Sequence, residues 1–173
     1  MENYRTLGVD LFWLDEAEQE YTVQDFDIYR YYDGPANECA NEYPARYSQT
    51  FFDGMKKEGI ENPLNLVRCA WAGSQRYGSL VWSGDVPSTF TYLRYQLTAG
   101  LNMGLAGIAW WTADIGGFHG GNVHDPAFQE LLMRWFQFGA FCPVMRLHGD
   151  RDPHYKPLGS TGGGMVASGA DNE

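Results

Sequence analysis

The sequence predicts an α/β fold with a parallel sheet, and within that class it favours an incomplete (β/α)8 barrel over a doubly wound sheet. Short apolar runs typical of buried strands alternate with longer segments in which apolar residues recur at the helical period. Several of the strand-like runs also end in aspartate or arginine, as barrel strands do at their active-site rim. Periodicity alone leaves both architectures open.

The predicted strands are four apolar runs that are long enough for strands and too short for helices. An acidic stretch without a sustained period follows the first run, and we interpret it as a long functional loop over residues 15–33. The strand predictions cover residues 9–14, 64–69, 80–82 and 108–111.

Three helices are predicted from apolar spacing and from their start and stop signals. The first spans residues 43–59, with a proline in its first turn and a glycine at its end. The second begins after residues 87–89, and the third begins at Asp125-Pro126. The apolar stripe of the second helix consists of Phe90, Leu93, Leu97 and Leu101.

The composition of the 173 residues is that of one globular unit, with 44% hydrophobic and 20% charged residues. The formal net charge is -10, whereas binding to a phosphate backbone needs clustered lysine and arginine. Nucleic acid is therefore not an expected partner. Six tryptophans and eleven tyrosines suit stacking on sugar rings as well as filling a core.

The chain ends and the cysteines bear on location and metal binding. The first residues lack the basic flank and apolar core of a signal peptide, and no apolar run approaches the ~20 residues of a membrane span. We therefore expect a cytoplasmic chain without a membrane partner, with an N-terminus that is itself truncated. Cys39, Cys69 and Cys142 have no metal-ligand spacing, so neither a disulfide framework nor a zinc site is predicted.

Three aspartates, Asp15, Asp85 and Asp114, each close a short apolar run. Aspartate is unfavourable inside an apolar strand, so its placement where strands stop predicts a shared rim that faces a polar ligand. Glycoside hydrolysis requires two carboxylates on either side of the scissile bond and fits such a rim. Each aspartate by itself is also explained as a helix cap or a turn residue.

Other catalytic motifs are weaker in this sequence. The glycines of residues 116–121 follow a strand but lack the Walker lysine and the dinucleotide-binding spacing. The four histidines show no His-x-x-x-His pair, which makes a metal triad a weak prediction. Glycine–serine pairs at 73–74 and 83–84 lack the nucleophile-elbow pattern. The remaining two-carboxylate chemistry needs no metal and no organic cofactor.

Three motifs in order resemble those of the retaining α-glycosidases of glycoside hydrolase family 31. They are Trp-Leu-Asp at 13–15, Trp-Ser-Gly-Asp at 82–85 and Ala-Asp-Ile-Gly-Gly-Phe at 113–118. The resemblance covers nearly the whole chain and implies barrel strands 4 to about 8 with their helices. Residues 1–173 are accordingly expected to form the C-terminal part of a (β/α)8 glycosidase catalytic domain, truncated at both ends.

The resemblance also implies the roles of the catalytic side chains. Asp15 looks like the nucleophile at the end of the fourth barrel strand, and Asp85 resembles the acid/base. For retention, their carboxyl groups should lie roughly 5–5.5 Å apart across the anomeric carbon. Arg68, in a segment similar to the family's Arg-Ser-x-Phe, is the candidate cation that keeps Asp15 ionised.

Sugar-binding residues are likewise implied by the family pattern. Trp13 would lie alongside the sugar, Asp114 would hold sugar hydroxyls, and Phe118 would form an apolar wall. The full expected binding set is Trp13, Arg68, Trp82, Asp114, Phe118 and His148. Glu-Ala-Glu at 16–18 departs from the Met-Asn-Glu of many relatives, which leaves the identity of the sugar open.

The resemblance implies hydrolysis of terminal α-linked glucosyl or xylosyl residues from oligosaccharides or glycosides, with retention and by double displacement. Transfer of the sugar to another acceptor uses the same mechanism and is equally compatible with the sequence. A different class of function is an inactive or carbohydrate-binding remnant, because an incomplete barrel exposes strand edges and lacks rim loops. A carbohydrate is the expected partner, and the oligomeric state is not predicted.

Overall fold

The computed structural model describes residues 2–16 and 28–152. The chain divides into two compact units, Met1–Val81 and Trp82–Glu173. The part of the predicted 15–33 loop that covers residues 17–27 lies outside the described residues.

The first unit combines parallel strands with a short antiparallel hairpin and one long helix. Its helices are α1 (Glu2–Arg5), α2 (Ala36–Cys39) and α3 (Tyr43–Lys57), with 3-10 turns at Ala40–Glu42 and Ser74–Tyr77. Its strands are β1 (Trp13–Leu14), β2 (Arg30–Tyr31), β3 (Gly34–Pro35), β4 (Asn65–Val67) and β5 (Ser79–Trp82), the last of which ends at the unit boundary.

Parallel pairing joins β1 to β4 and β4 to β5. Leu66 is the common register residue, since it lies opposite Trp13 on one side and Leu80 on the other. Every residue of β4 and β5 is buried, as expected for parallel strands that are covered on both faces. The strands predicted in the three regions 9–14, 64–69 and 80–82 are confirmed, with shorter bounds for the first two.

A buried asparagine ties the long helix α3 to the strands. Asn65, which is 1% exposed, donates to the sulfur of Met55 on α3 at 3.2 Å. Its side-chain oxygen accepts the backbone N–H of Phe12, just before β1, at 3.0 Å. A buried amide is costly without partners. These two contacts therefore hold α3 and the segment before β1 against β4. The predicted first helix is confirmed and ends at Lys57, two residues before Gly59.

The second unit contains two long helices and three short strands. The helices are α4 (Phe90–Leu105) and α5 (Pro126–Gly139), and the strands are β6 (Trp111–Thr112), β7 (His119–Asn122) and β8 (Asp150–Asp152). Strand β7 pairs with β8 in parallel. The core cluster consists of Ile115, Phe128, Leu131 and Trp135.

Both long helices of this unit begin at the residues that the sequence indicated. The side chain of Thr89 accepts the N–H of Tyr92 at 3.2 Å at the start of α4. The side chain of Asp125 accepts the N–H of Ala127 at 2.9 Å at the start of α5. Each cap satisfies a backbone donor that has no partner within its helix.

The stripe predicted for α4 is not the face that packs. Leu97 and Leu101 are 49% and 63% exposed, and of the four predicted residues only Leu93 packs against the core cluster. The packed face instead includes Gly100, whose added Cβ would lie 2.9 Å from the indole nitrogen of Trp111. A glycine carries no apolar signal, so a pattern built on large apolar residues selects the wrong face.

Strand bounds in the second unit differ from those that the sequence indicates. The fourth predicted strand, 108–111, is observed only as Trp111–Thr112. The strands β7 and β8 were not predicted, because β7 is the glycine-rich His-Gly-Gly-Asn and β8 is the charged Asp-Arg-Asp. Within the part of the chain that the structure describes, no helix has the length and apolar character needed to cross a membrane.

Candidate active site

Two charged side chains lie at the carboxyl ends of neighbouring strands in the first unit. Asp15 directly follows β1, and Arg68 directly follows β4. The parallel register pairs Leu14 with Val67, so the next residue of each strand is adjacent to that of the other. Arg68 Nη1 donates to Asp15 Oδ1 at 3.2 Å. The cation that the sequence assigned to Asp15 is therefore placed against it.

Asp15 is held by a second donor. The backbone N–H of Glu16 donates to Asp15 Oδ1 at 2.9 Å. Glu16 has a φ of 56°, in the left-handed region that non-glycine residues seldom adopt, and this turns the chain sharply after β1. The Asp15 and Arg68 side chains are 41% and 20% exposed. The result is an oriented carboxylate that solvent and ligands can reach, with a largely covered guanidinium behind it.

An aromatic cavity of about 470 Å³ lies beside β1. It is lined by Tyr4, Phe12, Trp13, Leu14, Tyr47, Thr50, Phe51 and Gly54. Trp13, the residue predicted alongside the sugar, is 46% exposed. Burial raises the pKa of Tyr47, and Tyr43 and the negative charge of Asp15 raise it further. Tyr47 is therefore a neutral hydroxyl whose titration depends on Asp15, and the sequence interpretation missed it.

In the second unit, Asp85 lies in a bend between β5 and α4. Gly84 has a φ of 73°, and the N–H of Val86 donates back to the Gly84 carbonyl at 3.1 Å. The carbonyl of Val86 accepts two further N–H groups, from Phe118 at 2.7 Å and His119 at 3.2 Å. The segment that carries the predicted acid/base is thus fixed directly on the segment that carries the predicted apolar wall.

Phe118 and His148 form a ring pair in this unit. Their ring centroids are 5.4 Å apart, with an interplanar angle of 35°. Phe118 is 3% exposed, whereas His148 is partly exposed. The pair therefore places a partly exposed imidazole against a buried apolar ring, so that the group available to a ligand is the imidazole.

Asp114 lies at the centre of a buried charged cluster. Its side chain is 0% exposed, and Arg146 Nη2 donates to its Oδ1. The guanidinium carbon of Arg146 lies 5.7 Å from the ring centroid of Trp82, a cation–π contact. The sequence interpretation gave Arg146 no role. The available signal was its position two residues before His148, because residues two apart in an extended segment face the same side.

The predicted residues thus fall into two groups. The first unit holds Trp13, Asp15 and Arg68, and the second holds Trp82, Asp85, Asp114, Phe118 and His148. Among the described residues, no group of three His, Cys, Asp or Glu side chains is placed to hold a metal ion. The chemistry available to these groups is that of carboxylates, arginines and aromatic rings.

Known proteins similar to this chain belong to a family of glycosyl hydrolases, in agreement with the parallel strands and the acids at their ends. Residues 1–162 match the model of the glycosyl hydrolases family 31 TIM-barrel domain. An uncharacterized family 31 glucosidase of Pseudescherichia vulneris is 64% identical over 151 residues, which is 87% of this chain and 28% of the relative. An α-xylosidase of Saccharolobus solfataricus is 36% identical over 157 residues, which is 86% of this chain and 21% of the relative.

Solved structures give the same result. The crystal structure of a family 31 α-xylosidase from a soil metagenome, complexed with xylose, has a TM-score of 0.86 and 64% identity. The match covers 91% of this chain and 23% of that one. The fold is thus part of a TIM-barrel domain of a glycoside hydrolase. The chain belongs to glycosyl hydrolase family 31, and it spans about a quarter of the length of these relatives.

Proposed function

We propose that the protein hydrolyses terminal α-linked xylosyl residues with retention of configuration. The observation that carries the proposal is the Arg68–Asp15 contact of 3.2 Å at the carboxyl ends of two parallel strands, in a chain of family 31. The choice of xylose is supported by relatives named α-xylosidases, one of them complexed with xylose at 64% identity. Glucose is the competing sugar, since other relatives are named glucosidases.

The first chemical step uses Asp15 as the nucleophile. Both donors of Asp15, the Arg68 guanidinium and the Glu16 N–H, contact Oδ1, so we assign the attack on the anomeric carbon to Oδ2. A glycosyl–Asp15 ester bond forms as the bond between the anomeric carbon and the leaving oxygen breaks. Asp85 gives its proton to that oxygen, and Arg68 stabilises the carboxylate before attack.

The second step restores the enzyme. A water molecule gives a proton to the ionised Asp85 and attacks the anomeric carbon from the face that the leaving group vacated. The ester bond to Asp15 breaks, and its carboxylate returns to the Arg68 guanidinium. Two inversions at one carbon give net retention. The partly exposed imidazole of His148, held against the buried Phe118 ring, supports a role of His148 in binding the sugar.

The proposal is tested by turnover of aryl α-xyloside and aryl α-glucoside. We expect hydrolysis of the xyloside, with a loss of kcat of about 1000-fold or more in Asp15→Ala. The matched control is Asp53→Ala, which removes an exposed aspartate on α3 and should leave turnover unchanged. A folded protein that hydrolyses neither substrate contradicts the proposal, and a preference for the glucoside contradicts its choice of sugar.

The nucleophile is tested separately by covalent trapping. A fluorinated α-xyloside with a good leaving group forms the ester quickly and releases it slowly, so the sugar accumulates on the attacking carboxylate. We expect mass spectrometry of the digested protein to locate the sugar on Asp15. A sugar on any other residue refutes the role of Asp15 and leaves the xyloside turnover result intact.

A further inference from the structure

The geometry of Asp114 differs from that of a side chain that contacts a ligand. Its side chain is 0% exposed, and Arg146 Nη2 donates to its Oδ1. A buried carboxylate is retained only where a partner compensates for its lost hydration. The Arg146 side chain is 17% exposed, so the arginine reaches solvent and its carboxylate partner does not. A side chain with no exposed surface offers no direct contact to a sugar.

The ion pair lies where two chain segments meet. Asp114 and Arg146 form a parallel β-bridge, and the N–H of Ile115 donates to the carbonyl of Arg146 at 3.3 Å. The two segments then carry Phe118, four residues after Asp114, and His148, two residues after Arg146. The rings of Phe118 and His148 lie 5.4 Å apart. The backbone contact between residues 114 and 146 therefore fixes the position of the His148 ring relative to the Phe118 ring.

The same arginine also supports a third segment. Arg146 Cζ lies 5.7 Å from the ring centroid of Trp82, and Trp82 is 2% exposed at the end of β5. A guanidinium that is fixed by a carboxylate loses the freedom to leave the ring face. Trp82 stands three residues before Asp85 in the chain. A single arginine thus links the segments that contain Trp82, Asp114 and His148.

We propose that Asp114 is a positioning residue: it fixes Arg146, and Arg146 in turn orients Trp82 and His148, while Asp114 itself makes no contact with the sugar. This inference rests on the proposed glycosidase function and changes the role that the family resemblance implied for Asp114, which was to hold sugar hydroxyls. Arg146 becomes a residue of the binding site that acts through its neighbours. The two roles of Asp114 give different results when Arg146 is absent.

A double-mutant cycle separates them. The variants are Asp114→Asn, Arg146→Met and the combination of both, assayed with aryl α-xyloside. A positioning role predicts that each single variant raises KM by about tenfold or more. It also predicts that the combination is no worse than Arg146→Met alone, because the effect of Asp114 on sugar binding passes through Arg146. Multiplied losses in the double variant would show an independent contact of Asp114 with the sugar and would overturn the inference.

Conservative variants and a surface control complete the cycle. Arg146→Lys keeps the charge but not the planar fork, so we expect partial recovery of KM relative to Arg146→Met. The control is Glu130→Gln, which breaks the exposed Arg134–Glu130 pair on α5 and should leave KM unchanged. Equal KM values for Arg146→Lys and Arg146→Met would contradict an orienting role of the guanidinium.

A measurement without turnover keeps this inference separate from the proposed function. In nitrogen-15 NMR, rotation of a guanidinium that is fixed by a buried carboxylate is slow, so the Nη signals of Arg146 should be resolved in the wild-type protein and collapse in Asp114→Asn. Resolved signals in Asp114→Asn, in a protein whose amide spectrum remains dispersed, would refute the inference. Loss of activity with the expected NMR result would refute only the proposed function.

The wild-type protein provides a last test that requires no variant to fold. On titration with xylose, we expect the ring signals of His148 to shift and the carboxyl carbon signal of Asp114 to change by much less. A shift of the Asp114 carboxyl carbon as large as that of the His148 ring carbons would show direct sugar contact and would overturn the inference.

Discussion

Substitution of Gly117 by alanine should destabilise the second unit at the point where the Asp85 segment is fixed. An added Cβ at Gly117 would lie 2.8 Å from Ser88 Cα and 2.9 Å from the carbonyl carbon of Pro87. These are backbone atoms of the segment that follows Asp85, so no side-chain rotation removes the overlap. The next residue, Phe118, donates its N–H to Val86 at 2.7 Å, and that hydrogen bond would lengthen.

The size of the effect has two parts. Gly117 has a φ of +81°, and a side chain at positive φ costs about 1–2 kcal/mol. The steric overlap with fixed backbone adds about 1–3 kcal/mol, as for overpacking in a core. Gly120 is the matched control, because its φ is +78° and nothing lies within 4 Å of its added Cβ. Gly120→Ala therefore carries only the first part.

The assay is urea unfolding followed by circular dichroism, with thermal unfolding as a second measurement. We expect Gly117→Ala to lose about 2–5 kcal/mol and Gly120→Ala about 1–2 kcal/mol. A difference of 1 kcal/mol corresponds to about 2–4 °C in Tm for a chain of this size. Equal losses in the two variants would refute the steric argument and with it the close approach of residues 87–88 to residue 117.

Three further predictions concern single side chains. Asn65→Ala should lower the free energy of unfolding by about 1–3 kcal/mol, since it leaves the Phe12 N–H without its acceptor; chemical denaturation measures this, and a loss below about 0.5 kcal/mol would contradict it. Thr89→Ala should cost about 1 kcal/mol through the lost cap of α4, and Thr89→Ser, which keeps the acceptor, should recover most of it. The raised pKa of Tyr47 predicts that its phenol ionises above pH 10 in ultraviolet titration of wild type against Tyr47→Phe. The stability gained from the neutral phenol is complete below the unfolded-state pKa and disappears as the pH rises through the folded-state value. Asp15→Asn should lower the Tyr47 pKa by removing a negative charge, and an unchanged value would contradict the electrostatic contact.

Local signals in the sequence predicted most of the helical structure. The caps Thr89 and Asp125 accept backbone N–H groups two or three residues away, and the proline of α3 lies in its first turn. These signals are therefore present in the sequence itself. The parallel strands were also predicted from the sequence, because short apolar runs that alternate with helices fit few architectures other than a parallel sheet. The strands β3, β7 and β8 were missed because they consist mainly of glycine, proline and polar or charged residues, which have low strand preference. The two-residue strand β2 is too short to show an alternating pattern.

The site was predicted in part. The contact of Arg68 with Asp15 and the neighbouring positions of Phe118 and His148 agree with the arrangement that the motifs indicated. The catalytic and binding roles themselves stay predictions until the variants above are measured. Arg146 was missed because its spacing of two from His148 indicates only a shared face, and its partner Asp114 lies 32 residues away.

The sequence by itself determined the fold class, the helix starts and the three acids at strand ends, because each depends on residue type and on spacing along a few neighbouring positions. The tertiary structure decided which side chains contact those acids. It buried Asp114 against Arg146, turned the glycine-bearing face of α4 toward Trp111, and brought residue 117 against residues 87–88. Burial and partner choice are properties of segments that pack together from distant parts of the chain, and no local pattern encodes them.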